Sequence, residues 1–167
     1  ISLGIGQGEV QLTTLQMANV ASIIANRGYY FVPHFAKGFR QGEKVLPAPE
    51  KYRQRIRVPI RPYFFPSVVE GMRRVVAAGT ATSSSIYDIP IAGKTGTVQN
   101  PHGEDHSTFI GFAPVDDPKI AIAVYVENAG GGGKYAAPIA SLVMEKFIRG
   151  EISEQRKFKE KQTIETN

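Results

Sequence analysis

Apolar residues recur at helical spacing in three parts of the chain. The first part lies behind Thr13 and Gln16, which can form a capping box over the first turn of a helix. Its apolar residues leave almost no polar face, which predicts a mostly buried helix that Gly28 ends in a left-handed conformation. The second helix is expected to start near Pro66, because proline suits the first helical position, and the third to span about residues 136–149.

Three strands are predicted between the second and third helices, over residues 89–99, 107–113 and 120–127. The last of them alternates large apolar residues, so one of its faces is apolar throughout. Short connections join the three strands, which favours antiparallel pairing in chain order. The predicted fold class is therefore α+β, with a three-stranded antiparallel meander packed with helices. The final strand is expected to leave a bare apolar edge.

The chain has 167 residues, enough for one substantial core, so one domain is the default expectation. Residues 1–149 are predicted to form the folded part. The remaining residues, 150–167, are mostly charged or polar and predict a frayed or flexible tail. No apolar run approaches the roughly 20 residues of a membrane span, and no signal-peptide pattern is present. Because the chain begins with Ile1 instead of Met, we expect a piece of a longer protein whose targeting signals lie upstream.

Basic residues dominate the net charge of +5, and four of them occupy alternate positions: Lys51, Arg53, Arg55 and Arg57. Alternate residues of an extended strand share one face. Such a face could bind nucleic acid or an anionic surface, or it could be the solvated and charge-protected face of an edge strand. The second interpretation is favoured, because no aromatic stacking pattern or nucleic-acid-binding module accompanies the charges. No nucleic-acid partner is expected.

Metal and cofactor sites find little support in the sequence. The chain has no cysteine, which excludes disulfides and thiolate ligands. The segment HGEDH, residues 102–106, offers two His and two carboxylates, but a polar hairpin loop is favoured because the third His is distant in the sequence. The glycines at residues 130–133 lack the neighbouring motif of a phosphate loop and are interpreted as a flexible turn. Neither a cofactor nor a metal is predicted.

The segment IPIAGKTGTVQ, residues 89–99, places Lys94 among glycines and hydroxyls on a predicted strand. A phosphate loop would need glycine at position 88, which is Asp88, and a carboxylate there would repel phosphate. Two interpretations remain. One is an ordinary edge strand with a solvated lysine, and the other is the Lys-Thr-Gly strand of a penicillin-binding protein or related β-lactamase. In the second, the cation stabilises anionic groups beside a nucleophilic serine.

Longer blocks extend the pattern on both sides of this strand: IGQGEVQLTTLQMANVASIIANRG (5–28), GMRRVVAAGTA (71–81), IAGKTGTVQNPHG (91–103), FIGFAPVDDPKIAIAVYVENAGGGG (109–133) and AAPIAS (136–141). In this order and spacing, they resemble the C-terminal half of the transpeptidase domain of class B penicillin-binding proteins, especially those of the cell-elongation machinery. The resemblance covers about residues 4–148 and departs from the family at Thr14, where proline is frequent. It implies the fold shared by penicillin-binding proteins and serine β-lactamases.

The resemblance implies a role for each residue of the motif. Lys94 would set the electrostatic field and join the proton-transfer network, as a catalytic residue. Thr95 would bind the carboxylate of a stem peptide or of a β-lactam, and Gly96 would let the substrate lie close against the strand. The backbone N–H of Thr97 would be one of two oxyanion-hole donors. The turn at residues 130–133 would rim the cleft.

The resemblance also implies an activity that this chain does not hold alone. No serine of the chain is followed by Lys three places on or by Asn two places on, and in the family those motifs come earlier. The implied parent is a serine-type D,D-transpeptidase that cross-links peptidoglycan stem peptides through an acyl-enzyme and binds β-lactam antibiotics. It would work in the periplasm with a glycosyltransferase of the elongation machinery, anchored to the inner membrane by an upstream segment.

Other functions remain open at this point. A penicillin-binding fold can serve as a non-catalytic β-lactam sensor or as an interaction scaffold, and a hydrolytic β-lactamase is a third possibility. The chain alone is expected to be inactive under the transpeptidase interpretation, because the nucleophile lies outside it.

Overall fold

The chain folds around one central sheet, and the structure, a computed structural model, describes residues 8–165 of it, with side chains to residue 162. The helices are α1 (Thr14–Ala25), α2 (Glu50–Arg53), α3 (Phe65–Ala78), α4 (Ala136–Arg149) and α5 (Lys157–Glu165). The strands are β1 (Tyr29–Tyr30), β2 (Gly38–Gln41), β3 (Lys44–Pro47), β4 (Ile56–Arg57), β5 (Ala92–Val98), β6 (His106–Ala113) and β7 (Ile120–Val126). No helix in the described part is long and apolar enough to cross a membrane.

The central sheet contains β5, β6 and β7 in chain order, and both pairings are antiparallel. The predicted meander is therefore confirmed, with strand ends that differ by only a few residues. Thr95 lies opposite Phe109, which lies opposite Val124. Directly opposed residues share a face of the sheet, so this register fixes which side chains of β5 point to which helix layer. Among the described residues, β5 and β7 are the two edges of the sheet.

The two faces of the sheet pack on different helices. On one face, Phe109 and the apolar residues of β7 pack against Ala140 and Met144 of α4. On the other face, a second apolar cluster joins the sheet to α1 and α3, through the residues Ala25, Val69, Met72, Ala92, Phe112 and Val115. Strand β5 is buried only at its first two residues, and from Lys94 onward it is exposed or half-buried. The strand is thus anchored at one end and accessible at the other.

Helix α1 begins as the sequence predicts. The Thr13 hydroxyl accepts the Gln16 N–H, and the Gln16 side chain accepts the Thr13 N–H at 2.8 Å, so the capping box is confirmed. At the other end the left-handed residues are Arg27, at φ 57°, and Gly28, at φ 109°. A Cβ at Gly28 would meet the Phe65 ring at 3.0 Å, so glycine also allows α1 and α3 to approach.

The nearly complete burial predicted for α1 is wrong. Only Ala21 and Ala25 of this helix are buried, and Leu15 is 59% exposed. The reason is geometric, because only one side of the helix packs on the sheet. The apolar residues on the other side have no covering layer within residues 8–165.

The single basic face predicted for residues 51–57 is wrong. Lys51 and Arg53 lie in the one-turn helix α2, and only Arg57 of the four basic residues belongs to a strand, where it pairs with Tyr29. Pro49 starts the helical turn, since its carbonyl accepts the Tyr52 N–H at 2.9 Å. Alternate residues do not share a face in a helix, so the four charges do not form one stripe.

The segment after α4 is more regular than the frayed or disordered tail that the sequence predicts. Gly150 ends α4 in the left-handed conformation, at φ 85°. A 3₁₀ turn and α5 then follow over residues 154–165. The Arg156 guanidinium is buried and donates to Glu145 at 2.7 Å and to Ser141 at 2.6 Å, both on α4. The boundary between residues 149 and 150, and the flexibility of the tail, stay predictions.

Candidate active site

Strand β5 presents Lys94 on one face and the hydroxyls of Thr95 and Thr97 on the other, because successive side chains of a strand alternate. Lys94 is exposed, and its Nζ donates to the Thr95 carbonyl oxygen at 2.7 Å. The strand therefore carries a solvated cation at the point where it leaves the core. All four predicted site residues, Lys94, Thr95, Gly96 and Thr97, lie in this accessible half of β5.

Lys94 faces a groove of about 890 Å³ between the sheet and the segment before α1. The groove is lined by residues of that segment, of α1 and of the sheet: Gly8, Val10, Gln11, Leu12, Met17, Lys94, Thr95, Gly96, Thr97, Val98, Thr108, Ile110 and Tyr125. Burial, and to a smaller extent the Glu127 carboxylate, raises the pKa of the Tyr125 phenol above its usual value. At neutral pH, Tyr125 therefore offers a hydrogen-bond donor to this groove.

The Thr95 hydroxyl is paired with a second hydroxyl. Thr95 Oγ1 and Thr80 Oγ1 are 2.8 Å apart, and Thr80 follows the end of α3. A hydroxyl has one proton and two lone pairs, so one proton of the pair bridges the two oxygens. The other proton is left to donate to a further acceptor, such as a carboxylate.

Gly96 is confined from both faces of the sheet. A Cβ at Gly96 would overlap the Thr108 hydroxyl, which belongs to the opposed residue of β6. On the other face, a Cβ at Gly132 would overlap the Gly96 carbonyl oxygen and would lie 2.9 Å from the Gly96 nitrogen. The structure thus gives a packing reason for glycine at both positions, and a role of Gly96 in substrate binding stays a prediction. The glycine turn, residues 130–133, lies behind β5 and does not line the Lys94 groove.

Thr97 and Ser107 are directly opposed in β5 and β6, and both bind the glycine turn. Thr97 Oγ1 accepts the Gly132 N–H at 3.1 Å. Ser107, which is fully buried, donates to the Gly131 carbonyl at 3.2 Å and accepts the Ala136 N–H at 3.0 Å. The turn is therefore attached to both strands.

The HGEDH segment joins the β5–β6 loop to the loop after β7 through hydrogen bonds. The Asp105 carbonyl accepts the N–H groups of Ala129 and Gly130 at 2.9 and 2.7 Å. His106 Nδ1 accepts the Asn128 N–H at 3.0 Å. Within the part of the chain that the structure describes, no group of three or more His, Asp or Glu residues is placed to hold a metal ion. Asp105 and His106 instead bind backbone N–H groups of the loop after β7.

Three residues outside β5 contribute to this site and escape the sequence prediction: Thr80, Ser107 and Thr108. Thr80 binds Thr95 from the segment after α3, whereas Ser107 and Thr108 face β5 from the neighbouring strand β6. The pattern of apolar and polar residues does not single out these three residues. Gly132 belongs to the glycine run that the sequence predicts at the rim of the cleft, and the structure places it behind β5.

Comparison with known proteins identifies the family to which this fold belongs. Residues 1–145 match the family model of the penicillin binding protein transpeptidase domain. The chain therefore belongs to this family, as the sequence resemblance implies.

Relatives of known function agree with this assignment. The chain is 33% identical to the peptidoglycan D,D-transpeptidase MrdA of Haemophilus influenzae, over 95% of this chain and 27% of that protein. It is also 33% identical to the peptidoglycan D,D-transpeptidase PbpA of Mycolicibacterium smegmatis, over 87% of this chain and 31% of that protein. The chain thus spans less than a third of the length of either relative.

Solved structures give the same result. Pseudomonas aeruginosa PBP2 in complex with WCK 5153 is 36% identical, with a TM-score of 0.69 over 92% of this chain and 34% of that one. The imipenem acyl-enzyme complex of penicillin-binding protein A from Mycobacterium tuberculosis is 30% identical, with a TM-score of 0.78 over 88% of this chain and 33% of that one. The fold class is therefore that of penicillin-binding transpeptidase domains.

Proposed function

We propose that this chain supplies the Lys-Thr-Gly wall of the active site of a peptidoglycan D,D-transpeptidase. The observation that carries the proposal is the placement of Lys94, exposed on the accessible half of an edge strand and facing a groove, in a chain that belongs to this family. An ordinary edge strand with a solvated lysine would need neither the groove nor the hydroxyl pair at Thr95. The serine nucleophile would come from sequence outside residues 1–167.

Lys94 would act through its charge. In the groove its ammonium would stabilise the anionic groups that form as a serine loses its proton and attacks a carbonyl. The 2.7 Å hydrogen bond to the Thr95 carbonyl holds the ammonium next to the strand and leaves two of its three protons for other acceptors. We therefore assign Lys94 to the electrostatic field and the proton-transfer network.

Thr95 would bind the carboxylate of the stem peptide or of a β-lactam. Its hydroxyl pair with Thr80 leaves one proton to donate, and a hydrogen bond to a charged group contributes roughly 1.5–3 kcal/mol. Gly96, between Thr95 and Thr97, would let the substrate backbone lie close against the strand.

Thr97 would supply one of the two oxyanion-hole donors through its backbone N–H. In an antiparallel strand, the N–H and C=O of alternate residues point to the same side. The Thr95 carbonyl accepts from the Lys94 side chain, which supports an orientation toward the open edge of β5. The Thr97 N–H would then point out of the same edge, where a substrate carbonyl can reach it.

The reaction that follows from these roles has two acyl-transfer steps. The serine oxygen would attack the penultimate carbonyl of a donor stem peptide, and the terminal D-amino acid would leave with the proton taken from the serine. An amine of a second stem peptide would then attack the ester carbonyl and form the cross-linking amide bond. The acyl–oxygen bond would break, and a proton from the amine would return to the serine oxygen. In a β-lactam the leaving amine stays attached to the acyl group, which supports long-lived acylation.

We further propose the setting that the family resemblance implies. The complete protein would act in the periplasm, anchored to the inner membrane by a segment upstream, together with a glycosyltransferase and the cell-elongation machinery. The residues that the structure describes contain no feature that identifies these partners.

The reading frame upstream of Ile1 provides the first test, since it should encode Ser-x-x-Lys followed by Ser-x-Asn. The polypeptide that includes this half should then give a heat-stable fluorescent band with a labelled penicillin on a denaturing gel. The 167-residue chain should give none, and a covalent band on it would contradict the proposal. A complete polypeptide without the serine motif, or one that is never labelled, would favour a sensor or a scaffold. Rapid loss of the label would favour a β-lactamase.

A further inference from the structure

The glycine turn touches the one peptide group of β5 on which the oxyanion hole would depend. The Gly96 carbonyl and the Thr97 N–H belong to the same planar peptide unit. Gly132 lies against this unit, because a Cβ there would be 2.8 Å from the Gly96 carbonyl carbon and would overlap its oxygen. The Gly132 N–H also donates to Thr97 Oγ1 at 3.1 Å. Gly132 therefore contacts the carbonyl side of this peptide unit and the side chain of Thr97, the residue that carries its N–H.

We propose that Gly132, held by Ser107, is a positioning residue that sets the direction of the Thr97 N–H. The proposal rests on the proposed function, since it concerns the same site. A peptide unit is rigid, so contact with its carbonyl side fixes the orientation of its N–H side. Strand β5 has no neighbouring strand on its open edge among the described residues, and β6 contacts it from one side only. The turn supplies a third contact, from the face behind the strand.

Ser107 holds the turn in place. Its hydroxyl binds the Gly131 carbonyl at 3.2 Å and the Ala136 N–H at 3.0 Å, on both sides of Gly132. Ser107 is also the residue directly opposite Thr97 in β6. The glycine turn binds the buried Ser107 side chain, and β5 pairs with the same residue through Thr97. A displacement of the turn would therefore also displace the Gly96–Thr97 peptide.

The chain offers a matched pair of variants in the turn. Gly132→Ala introduces a Cβ that overlaps the Gly96 carbonyl, whereas a Cβ at Gly131 meets no atom within 4 Å. Neither glycine has a positive φ, so alanine brings no backbone strain at either position. Any difference between the two variants therefore reports the contact with β5.

The test measures acylation and deacylation of the complete protein with a penicillin. Gly132→Ala should lower the acylation rate constant at saturation on the order of 100-fold, as loss of an oxyanion donor does, and should lower deacylation in parallel. The apparent dissociation constant should change little, because the carboxylate site at Thr95 is retained. Gly131→Ala should match the wild type. A Gly132→Ala variant with wild-type rates, or an equal loss in Gly131→Ala, would contradict the proposal.

A second variant covers the case in which Gly132→Ala does not fold. Ser107→Ala removes the hydroxyl with no added volume and should lower the same two rate constants, again without weaker binding. Wild-type rates in folded Ser107→Ala would overturn the role of Ser107. In the 167-residue chain, the Thr97 amide resonance should shift in Gly132→Ala and not in Gly131→Ala. A wild-type protein that is never acylated would refute the proposed function instead.

Discussion

The Glu145 carboxylate and the Arg156 guanidinium form a buried ion pair at 2.7 Å. Glu145 is fully buried, and Ser141 accepts a second hydrogen bond from the same guanidinium at 2.6 Å. The Ser153 N–H also donates to Glu145, at 3.4 Å. The pair therefore joins α4, which covers one face of the sheet, to the segment that leads into α5.

Breaking this pair should destabilise the chain markedly. Arg156→Met removes the shorter of the two ion pairs of the buried Glu145 carboxylate and leaves only Arg149, at 3.6 Å, and the Ser153 N–H as its partners. This should lower the free energy of unfolding by about 3 kcal/mol. Lys157→Met is the control, because its ion pair with Glu154 is exposed and should contribute little to stability. Urea unfolding followed by circular dichroism measures both. Equal effects of the two variants would contradict the buried pair.

Acid should remove a second, exposed contribution to stability. Hydrogen bonds from Arg73 first, and from Arg74 next, lower the pKa of Glu70 from 4.5 to about 2. Because the folded-state pKa is lowered, this stabilisation is complete above pH 4.5 and is lost as the pH falls through about 2. Glu70→Gln should therefore flatten the fall in stability between these pH values. In the wild type, 1 M salt should reduce the dependence of the unfolding free energy on pH. A pH dependence that salt does not change would contradict the role of the Glu70 ion pairs.

The capping box of α1 should contribute measurably to stability. Thr13→Ala removes the hydroxyl that accepts the Gln16 N–H, and the expected cost is about 1 kcal/mol. Thr14→Ala, one position later, is the control and should be nearly neutral. A chain that tolerates both changes equally would show that other contacts hold the start of α1.

The open edge of β7 should promote association of the 167-residue chain. Ile120–Val126 is apolar throughout, and no other described strand pairs with its outer side. Unpaired N–H and C=O groups on such a strand are a template for a second chain. Light scattering should therefore show a mass that rises with concentration. A monomer at all concentrations, with protected amides in residues 120–126, would mean that another part of the chain covers this edge.

Local patterns were sufficient for the elements that carry the site. Alternation predicted the first and last of the three strands, and caps at Thr13 and Gly150 marked two helix ends that the structure confirms. The Lys-Thr-Gly motif predicted which strand is accessible. These features depend on residues within a few positions of one another, where the sequence pattern reflects the physical cause.

Contacts between distant segments were not predictable in this way. Gly132 lies against Gly96, 36 positions earlier, and the pattern alone suggested only a turn. The apolar sequence of α1 indicated burial, but exposure depends on which layers cover the helix. The sequence around Arg156 indicates only a charged tail, and its buried ion pair with Glu145 is evident only from the structure. In each case the register or the packing partner decides, and neither is encoded locally.

The acylation rate constant of the complete protein tests the central claim most directly. Lys94 is exposed, so Lys94→Ala should leave the melting temperature unchanged while acylation by penicillin falls on the order of 100-fold. Thr95→Ala should lower it roughly tenfold to a hundredfold, through loss of a hydrogen bond to the carboxylate. Lys119→Ala, at an exposed ion pair before β7, should match the wild type. Unchanged acylation in a folded Lys94→Ala variant would remove this strand from the active site.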